Sequence, residues 1–350
     1  MIVVESFIEQ EVVHFADEQL QIYSKFNKVF LYSKGFCLQK ISLPLNALLI
    51  FIGQFRIVRR FLRLDKSCVL KTSSGLIIFW QRCVYFLSDG NKSGLIRTLT
   101  LTGCRNPLHN SIANVDGNII FFGEYGKPHK LGKSIYKSCD GGMTWNKVFH
   151  FSCDKIRHIH SCKWDPFEKK IWVFTGDFDG QCRILCADLN FCEVEEIGDG
   201  SQYFRAVDAV FEKDSVHWIM DSPLKSVHHI RLDRSSRRIS IGQEFDGPGW
   251  YMKKLTDGIT LSCTTQEIGP SHKDKKVHLM ATRDYETWVD IAQFEHDGLK
   301  KGLFKFGVGA FSAGNQTSSS FYMHFEAIKG LDGRSARIKI MQTGSIGGGP

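Results

Sequence analysis

Four apolar runs in this 350-residue chain end abruptly in acids: Phe121-Phe122-Gly123-Glu124, Phe174-Thr175-Gly176-Asp177, Ile219-Met220-Asp221 and Thr264-Thr265-Gln266-Glu267. If these carboxyls converge, their repulsion raises one or more pKa values unless cations, a metal or shared protons relieve it, and both general acids and metal sites are built that way. Taken singly each acid reads as a solvated turn residue; taken together they make a candidate site. His158 and His160 stand two apart in an extended run, so both side chains point to one side of the strand. Such a pair suits a general base with its partner, or metal ligands with Asp177 or Asp179, because imidazole titrates near neutrality and binds transition metals. No cofactor is demanded, and a divalent metal is the one this set admits. Arg205, with Arg157 as a second candidate, can hold a substrate carboxylate through paired hydrogen bonds. Tyr125, Tyr203, Trp250 and Tyr251 offer the flat faces on which sugar rings stack.

The elements that must position these residues are strands. Gly75–Trp80, Asn118–Phe122, Lys170–Thr175, Val216–Met220 and Ile259–Cys263 are short, β-branched or aromatic, and fenced by Gly, Asp, Asn or Ser. Sustained helical periodicity is almost absent, and the best candidate, residues 17–26, reads equally as two short strands around a turn. Turn markers fall at Asp89, Asp140, Asp188, Asp233, Asp284 and Asp332, giving gaps of 51, 48, 45, 51 and 48 residues. A repeat of that period, made of four short strands, stacks around an axis as propeller blades, because only neighbouring blades can bury both faces of each sheet. With residues 33–36 as an eroded earlier marker the count is seven, with six as the fallback. The expectation is an all-β propeller of four-stranded antiparallel blades forming one domain over residues 1–342. A strand at 2–7 or 11–15 pairs with the final unit to close the ring, and 343–350 form a flexible tail or cloning remnant.

One marker names a family. Ser138-Cys139-Asp140-Gly141-Gly142-Met143-Thr144-Trp145 matches S-x-D-x-G-x-T-W at every defined position and resembles the BNR/Asp-box repeat proteins, the group that includes sialidases. Thr282-Arg283-Asp284-Tyr285-Glu286-Thr287-Trp288 is a copy shortened by one residue. In this reading Ser138, Asp140, Gly142, Thr144 and Trp145 are structural: the Asp staples a turn, a Gly permits a positive φ and the Trp lies between blades. The resemblance implies that such turns lie on the face away from the ligand. The near face is then built from the start of each first strand and the loop after each second strand. That places Glu124, His158, His160, Asp177, Asp221 and Glu267 as candidate catalytic residues. It places His109, Tyr125, Lys127, Arg157, Asp179, Tyr203, Arg205, Trp250 and Tyr251 as candidate substrate contacts. The family's F/Y-R-I-P motif has only a partial counterpart in Phe55-Arg56-Ile57-Val58, which lacks the Pro and sits in a basic stretch read as a solvated strand.

The resulting expectation is a carbohydrate-active enzyme cleaving a glycosidic bond in an acidic or uronate-containing oligosaccharide, by hydrolysis or elimination. The alternative is a propeller that binds a glycan or protein without cutting it. Composition agrees with a globular chain: 43% hydrophobic and 23% charged residues exclude disordered and fibrous classes. The formal charge of +8 is spread out except at Arg56, Arg59, Arg60 and Arg63, without the dense basic stripe of a nucleic-acid binder. Eleven cysteines without a CxxC pair argue against a disulfide framework. The acidic N-terminal residues do not make a signal peptide, and the apolar stretch at 43–53 is too short and interrupted to span a bilayer, so the expected location is cytoplasmic.

Overall fold

The computed structural model describes residues 1–8, 11–89, 94–267 and 269–341; the tail expected at 343–350 lies outside them. The chain folds as a seven-bladed β-propeller of seven four-stranded antiparallel sheets. Blade 1 comprises Val12–Ala16, Gln21–Lys25, Lys28–Ser33 and Phe36–Ser42. Blades 2 to 6 follow in sequence order over 67–100, 113–151, 158–197, 210–245 and 249–295. Blade 7 takes Val308–Phe311, Phe321–Glu326 and Arg334–Ile340 from the end of the chain, and Ile2–Ile8 as its outermost strand. Ile2 pairs with Ile340 and Ile8 with Ser335.

Second strands are apolar on both sides because both sides meet neighbouring blades. Every residue of Gly75–Trp80 is buried, as is every residue of Ser215–Ile219, and the Trp80, Trp172 and Trp218 side chains have no exposed surface. First strands face the axis and carry the polar side chains that the channel requires. Lys163 of blade 4 reaches Asp208 at 2.6 Å, and Lys253 of blade 6 donates to the carbonyls of Ser312 and Gly314.

Five of the six Asp markers, with residues 33–36, mark connections between third and fourth strands. In the fully matched one, Asp140 accepts from the Met143 and Thr144 amides at 3.0 and 2.9 Å and from the Thr144 hydroxyl at 2.6 Å. Gly142, at φ 104°, donates to Ser138 Oγ. Trp145 reaches across to blade 2, donating to Thr98 Oγ1 at 3.2 Å and lying against Phe79 and Phe122.

Two expectations are corrected. Asp332 joins the second and third strands of blade 7, on the opposite face, where it accepts from Ala327 and Arg56. Blade 7 has no third-to-fourth turn, because its fourth strand comes from the other end of the chain. The segment around Phe55-Arg56-Ile57-Val58 is not a strand. It belongs to a two-helix insertion between blades 1 and 2, Ala47–Ile52 followed by Arg56–Leu62. Asn46 caps the first helix by accepting from the Leu49 amide. Buried ion pairs from Arg59 to Glu11 and from Arg60 to Asp297 clamp the second to the ring. No helix among the described residues is long and apolar enough to cross a membrane.

Replacing Asp140 with Ala removes the acceptor for two amides and two hydroxyls, those of Thr144 and Ser138, so Asp140→Ala should destabilise by about 1–3 kcal/mol. Thermal melting should show the loss, and ligand binding on the opposite face should not change.

Candidate active site

The first strand of blade 4, His158–Asp165, carries two histidines whose ring positions are dictated by the backbone. Nδ1 of His158 lies 2.9 Å from the carbonyl of Gly126, and Nδ1 of His160 lies 2.8 Å from that of Ala206. A carbonyl only accepts, so both Nδ1 atoms carry hydrogen and both Nε2 atoms turn inward. There Nε2 of His160 is 3.0 Å from Nε2 of His158 and 3.1 Å from Asp177 Oδ1, and Nε2 of His158 is 3.4 Å from the same oxygen. Both rings are buried. Gly176, directly before Asp177, makes this possible, since a Cβ there would sit 2.6 Å from the His160 ring.

Three lone-pair donors in so small a triangle require a cation between them. A proton meets the need. Burial opposes charge on His160, but the Asp177 carboxylate outweighs it and lifts this imidazole above its ordinary value. Burial holds His158 below its ordinary value, so it stays neutral. Burial would raise Asp177, yet the hydrogen bond and the positive charge of His160 pull it well below the carboxylate range. A divalent metal also fits the donor set. His158, His160 and Asp177 each offer one ligand atom, all within 4.8 Å of one another, and an imidazole anchored through Nδ1–H to a carbonyl is the usual second layer of a metal ligand.

Arginines surround this triangle. Arg157 Nη1 donates to Asp177 Oδ2 at 2.6 Å and keeps its buried Nε without a partner. Arg205, from the short 3-10 turn region after Gln202–Phe204, is almost wholly buried. Its Nη2 lies 3.2 Å from Asp177 Oδ1 and 3.9 Å from Glu267 Oε2, while its Nε donates to Asp221 Oδ2 at 3.3 Å. Asp221 also accepts from the Trp250 indole at 2.8 Å. Burial raises Asp221 despite Arg205. Glu267 is raised to about 7, by burial first and then by the Asp221 charge. Although 30% of its side chain is exposed, its Oε2 is buried and has no hydrogen-bond partner, which is why its carboxyl behaves as a buried one.

The structure therefore brings together His158, His160, Asp177, Asp221, Glu267, Arg157 and Arg205. Beside them lies a cavity of about 390 Å³ on the same face, to which Tyr125, Trp250, Tyr251 and His109 contribute. Cavity and cluster are neighbours that share walls: the Tyr125 ring sits 4.5 Å from that of His158, and Trp250 bonds Asp221. Acids on the cavity wall are matched by bases: Glu326 pairs with Lys66 and Lys305, and Asp65 with Arg56. Arg63, Arg82 and Arg105 also line it and make no ion pair among the described residues.

Other candidates fall elsewhere. Glu124 is buried inside blade 3, where its carboxylate accepts from the Ser134 amide, the Tyr136 hydroxyl and Cys104; it serves the sheet and does not join the cluster. Tyr203 packs on the core around blade 5 with Lys225 over its ring, and Lys127 and Asp179 are exposed. Arg205 has its donors committed to Asp177 and Asp221, so it orders the acids and leaves Arg157 as the arginine with capacity to spare. Gln202 escaped sequence reasoning: fully buried, it donates to the Asp177 carbonyl at 3.0 Å and accepts from Ser222. Arg105, before the first strand of blade 3, was reachable by the same positional rule that found His109; Arg63 sits in the insertion, which obeys no repeat.

No family model matches this chain, and no curated protein matches it either. Among solved structures it is similar to the extracellular domain of the hybrid two-component system BT4673 from B. thetaiotaomicron. That match has TM-score 0.53 and 10% identity, over 95% of this chain and 39% of that one. It is also similar to a puromycin-hydrolyzing peptidase of Mycobacterium tuberculosis, with TM-score 0.53 and 12% identity, over 82% of this chain and 47% of that one. The chain thus spans less than half of either protein. At such identities the likeness speaks for the propeller fold alone.

The raised Glu267 carboxyl has a signed consequence. Its folded pKa lies above the unfolded one, so the protonated form is favoured in the fold, and this contribution is lost as pH rises from about 4.5 through about 7. Glu267→Gln should therefore melt higher than the parent at pH 8 and alike at pH 4, and Asp221→Asn should lower the Glu267 titration midpoint read by carboxyl NMR.

Proposed function

We propose that this propeller cleaves an acidic oligosaccharide, by elimination, at the His158–His160–Asp177 triangle. One observation carries the reading: the Nε2 atoms of two buried histidines and a carboxylate oxygen converge within 3.4 Å, beside a carboxyl raised to about 7. Elimination next to an acid group needs that group's charge neutralised, a base for the neighbouring proton and an acid for the departing oxygen. Arg157 supplies the first through the donors that Asp177 leaves unused. His158 is the base: when His160 directs its proton to Asp177 Oδ1, the lone pair on His158 Nε2 is freed. The proton leaves carbon for His158, the electron pair it leaves behind forms a carbon–carbon double bond, the bond from the ring to the bridging oxygen breaks, and Glu267 gives its proton to that oxygen. No water is consumed.

Hydrolysis is less well served. It needs a second carboxylate free to attack or to activate water, whereas Asp177 and Asp221 are both fastened by arginine and by imidazole or indole nitrogens. The aromatic cavity wall of Tyr125, Trp250 and Tyr251 provides stacking for the sugar rings that flank the broken bond. If a divalent ion were held by His158, His160 and Asp177, it would supply the carboxylate neutralisation, and His158, with its Nε2 lone pair on the ion, would no longer be the base. The turn at 138–145 and its shortened copy at 282–288 support reading the chain as a divergent Asp-box protein.

A screen of uronate and neutral oligosaccharides, with and without EDTA, tests this by product mass. An unsaturated product is expected; products that gain water would replace elimination by hydrolysis, and measurable binding without cleavage would make the chain a binding module. His158→Gln should lower turnover by about 10²–10⁴-fold with little change in substrate affinity, and loss of activity in EDTA with recovery on adding a divalent ion would assign the triangle to a metal.

A further inference from the structure

The insertion between blades 1 and 2 is an amphipathic element turned inside out. Its arginines point inward: Arg59 and Arg60 are buried in ion pairs with Glu11 and Asp297, and Arg56 pairs with Asp65 and Asp332. Its large apolar side chains point outward. Leu48, Phe51, Phe55, Ile57 and Phe61 are 68%, 72%, 63%, 51% and 52% exposed, and the helix Ala47–Ile52 buries no residue at all. Single exposed apolar side chains are ordinary; a run of them on one projecting element marks an interaction surface.

The surroundings identify what meets it. Beside the first helix runs an open groove to which Ile50 and Gln54 contribute, with Lys25, Lys28 and Lys40 on its walls and no acidic residue among those that line it. None of the three lysines has an ion-pair partner among the described residues. From residue 43 to residue 64 the chain contains no Asp or Glu. A second copy packed two-fold over this patch would set lysine groove against lysine groove, which disfavours self-association. Apolar side chains that project, flanked by unpaired lysines, fit a surface that is apolar a few ångströms in and anionic at its skin.

We infer that the 47–62 insertion docks the propeller on an anionic lipid bilayer. Phe51, Phe55 and Phe61 enter the boundary between headgroups and acyl chains, while Lys25, Lys28 and Lys40 hold acidic headgroups. The inference is independent of the chemistry proposed at the histidine triangle.

Co-sedimentation of the whole protein with vesicles tests it. Vesicles of phosphatidylcholine containing about one-third phosphatidylglycerol should bind it, phosphatidylcholine alone should bind it more weakly, and salt should weaken the difference. Phe51→Ser with Phe55→Ser should lower binding to the anionic vesicles roughly tenfold or more, and Lys25→Gln, Lys28→Gln and Lys40→Gln together should erase the preference for them. Because these side chains are exposed, or half-buried in the case of Lys28, and none pairs with an acid among the described residues, melting temperature and oligosaccharide cleavage should stay as in the parent. The inference is overturned if the parent remains in the supernatant with both vesicle types, or if the Phe variant sediments as the parent does. It is equally overturned if light scattering shows a dimer that the Phe variant dissolves and vesicles do not compete for.

Discussion

Ring closure is the constraint on which the molecule depends. A four-stranded blade has two apolar faces, and in a propeller each face is covered only by the next blade. Blade 7 would lack its outer strand without Ile2–Ile8, and an unpaired Arg334–Ile340 would be an open sheet edge. Joining the two chain ends in one sheet holds blades 1 and 7 side by side, and isolated pairing of Phe15 with Ala313 continues the seam at the axis. Everything on the near face inherits its position from this closure, because the site is assembled from first strands and second-strand loops that are distant in sequence.

Within that frame the site is an exercise in balancing charge at low dielectric. Asp177, Asp221 and Glu267 come from three different blades, and Arg205 Nη2 and Nε touch all three. One guanidinium cannot neutralise three carboxylates. Asp177 takes the cations, with Arg157 and His160 added, and remains anionic. Asp221 and Glu267 are left raised, and only Glu267 retains a carboxyl oxygen without a partner. The division of labour between a fixed anion and a protonatable acid follows from unequal access to the same arginine.

Much of this was legible beforehand because repetition makes sequence speak about geometry. The period of the turn markers implied blades, and the rule that near-face residues start first strands or follow second strands placed Asp177, Asp221, Glu267 and the histidines on one side. The rule carries position but not side-chain direction. Glu124 obeys it as well as Asp177 does, yet Ser134, Tyr136 and Cys104 offer its carboxylate partners inside the blade, so it turns away. Tyr203 likewise starts the approach to a first strand and then packs on the core. The Asp332 marker fitted the period only because the long connections at 296–307 and 312–320 make up for the strand that is missing before it. Arg63, Lys305 and the helical insertion had no repeat register from which to be read.

The insertion shows why composition misleads when a segment serves two contacts at once. Read in isolation, Arg56, Arg59, Arg60 and Arg63 suggest a solvated basic face, since arginine in water is the ordinary case. The ring reverses this by offering Glu11, Asp65 and Asp297 from connections between blades and Asp332 from a loop of blade 7. Once the guanidinium groups are drawn inward to those acids, the helix has only one place left for Ile57 and Phe61, which is outward. The same ion pairs that anchor the insertion thus expose its apolar side, and they set Arg63 on the wall of the cavity beside the histidine triangle. An anchoring device, an exposed apolar surface and part of a binding wall are consequences of one electrostatic choice.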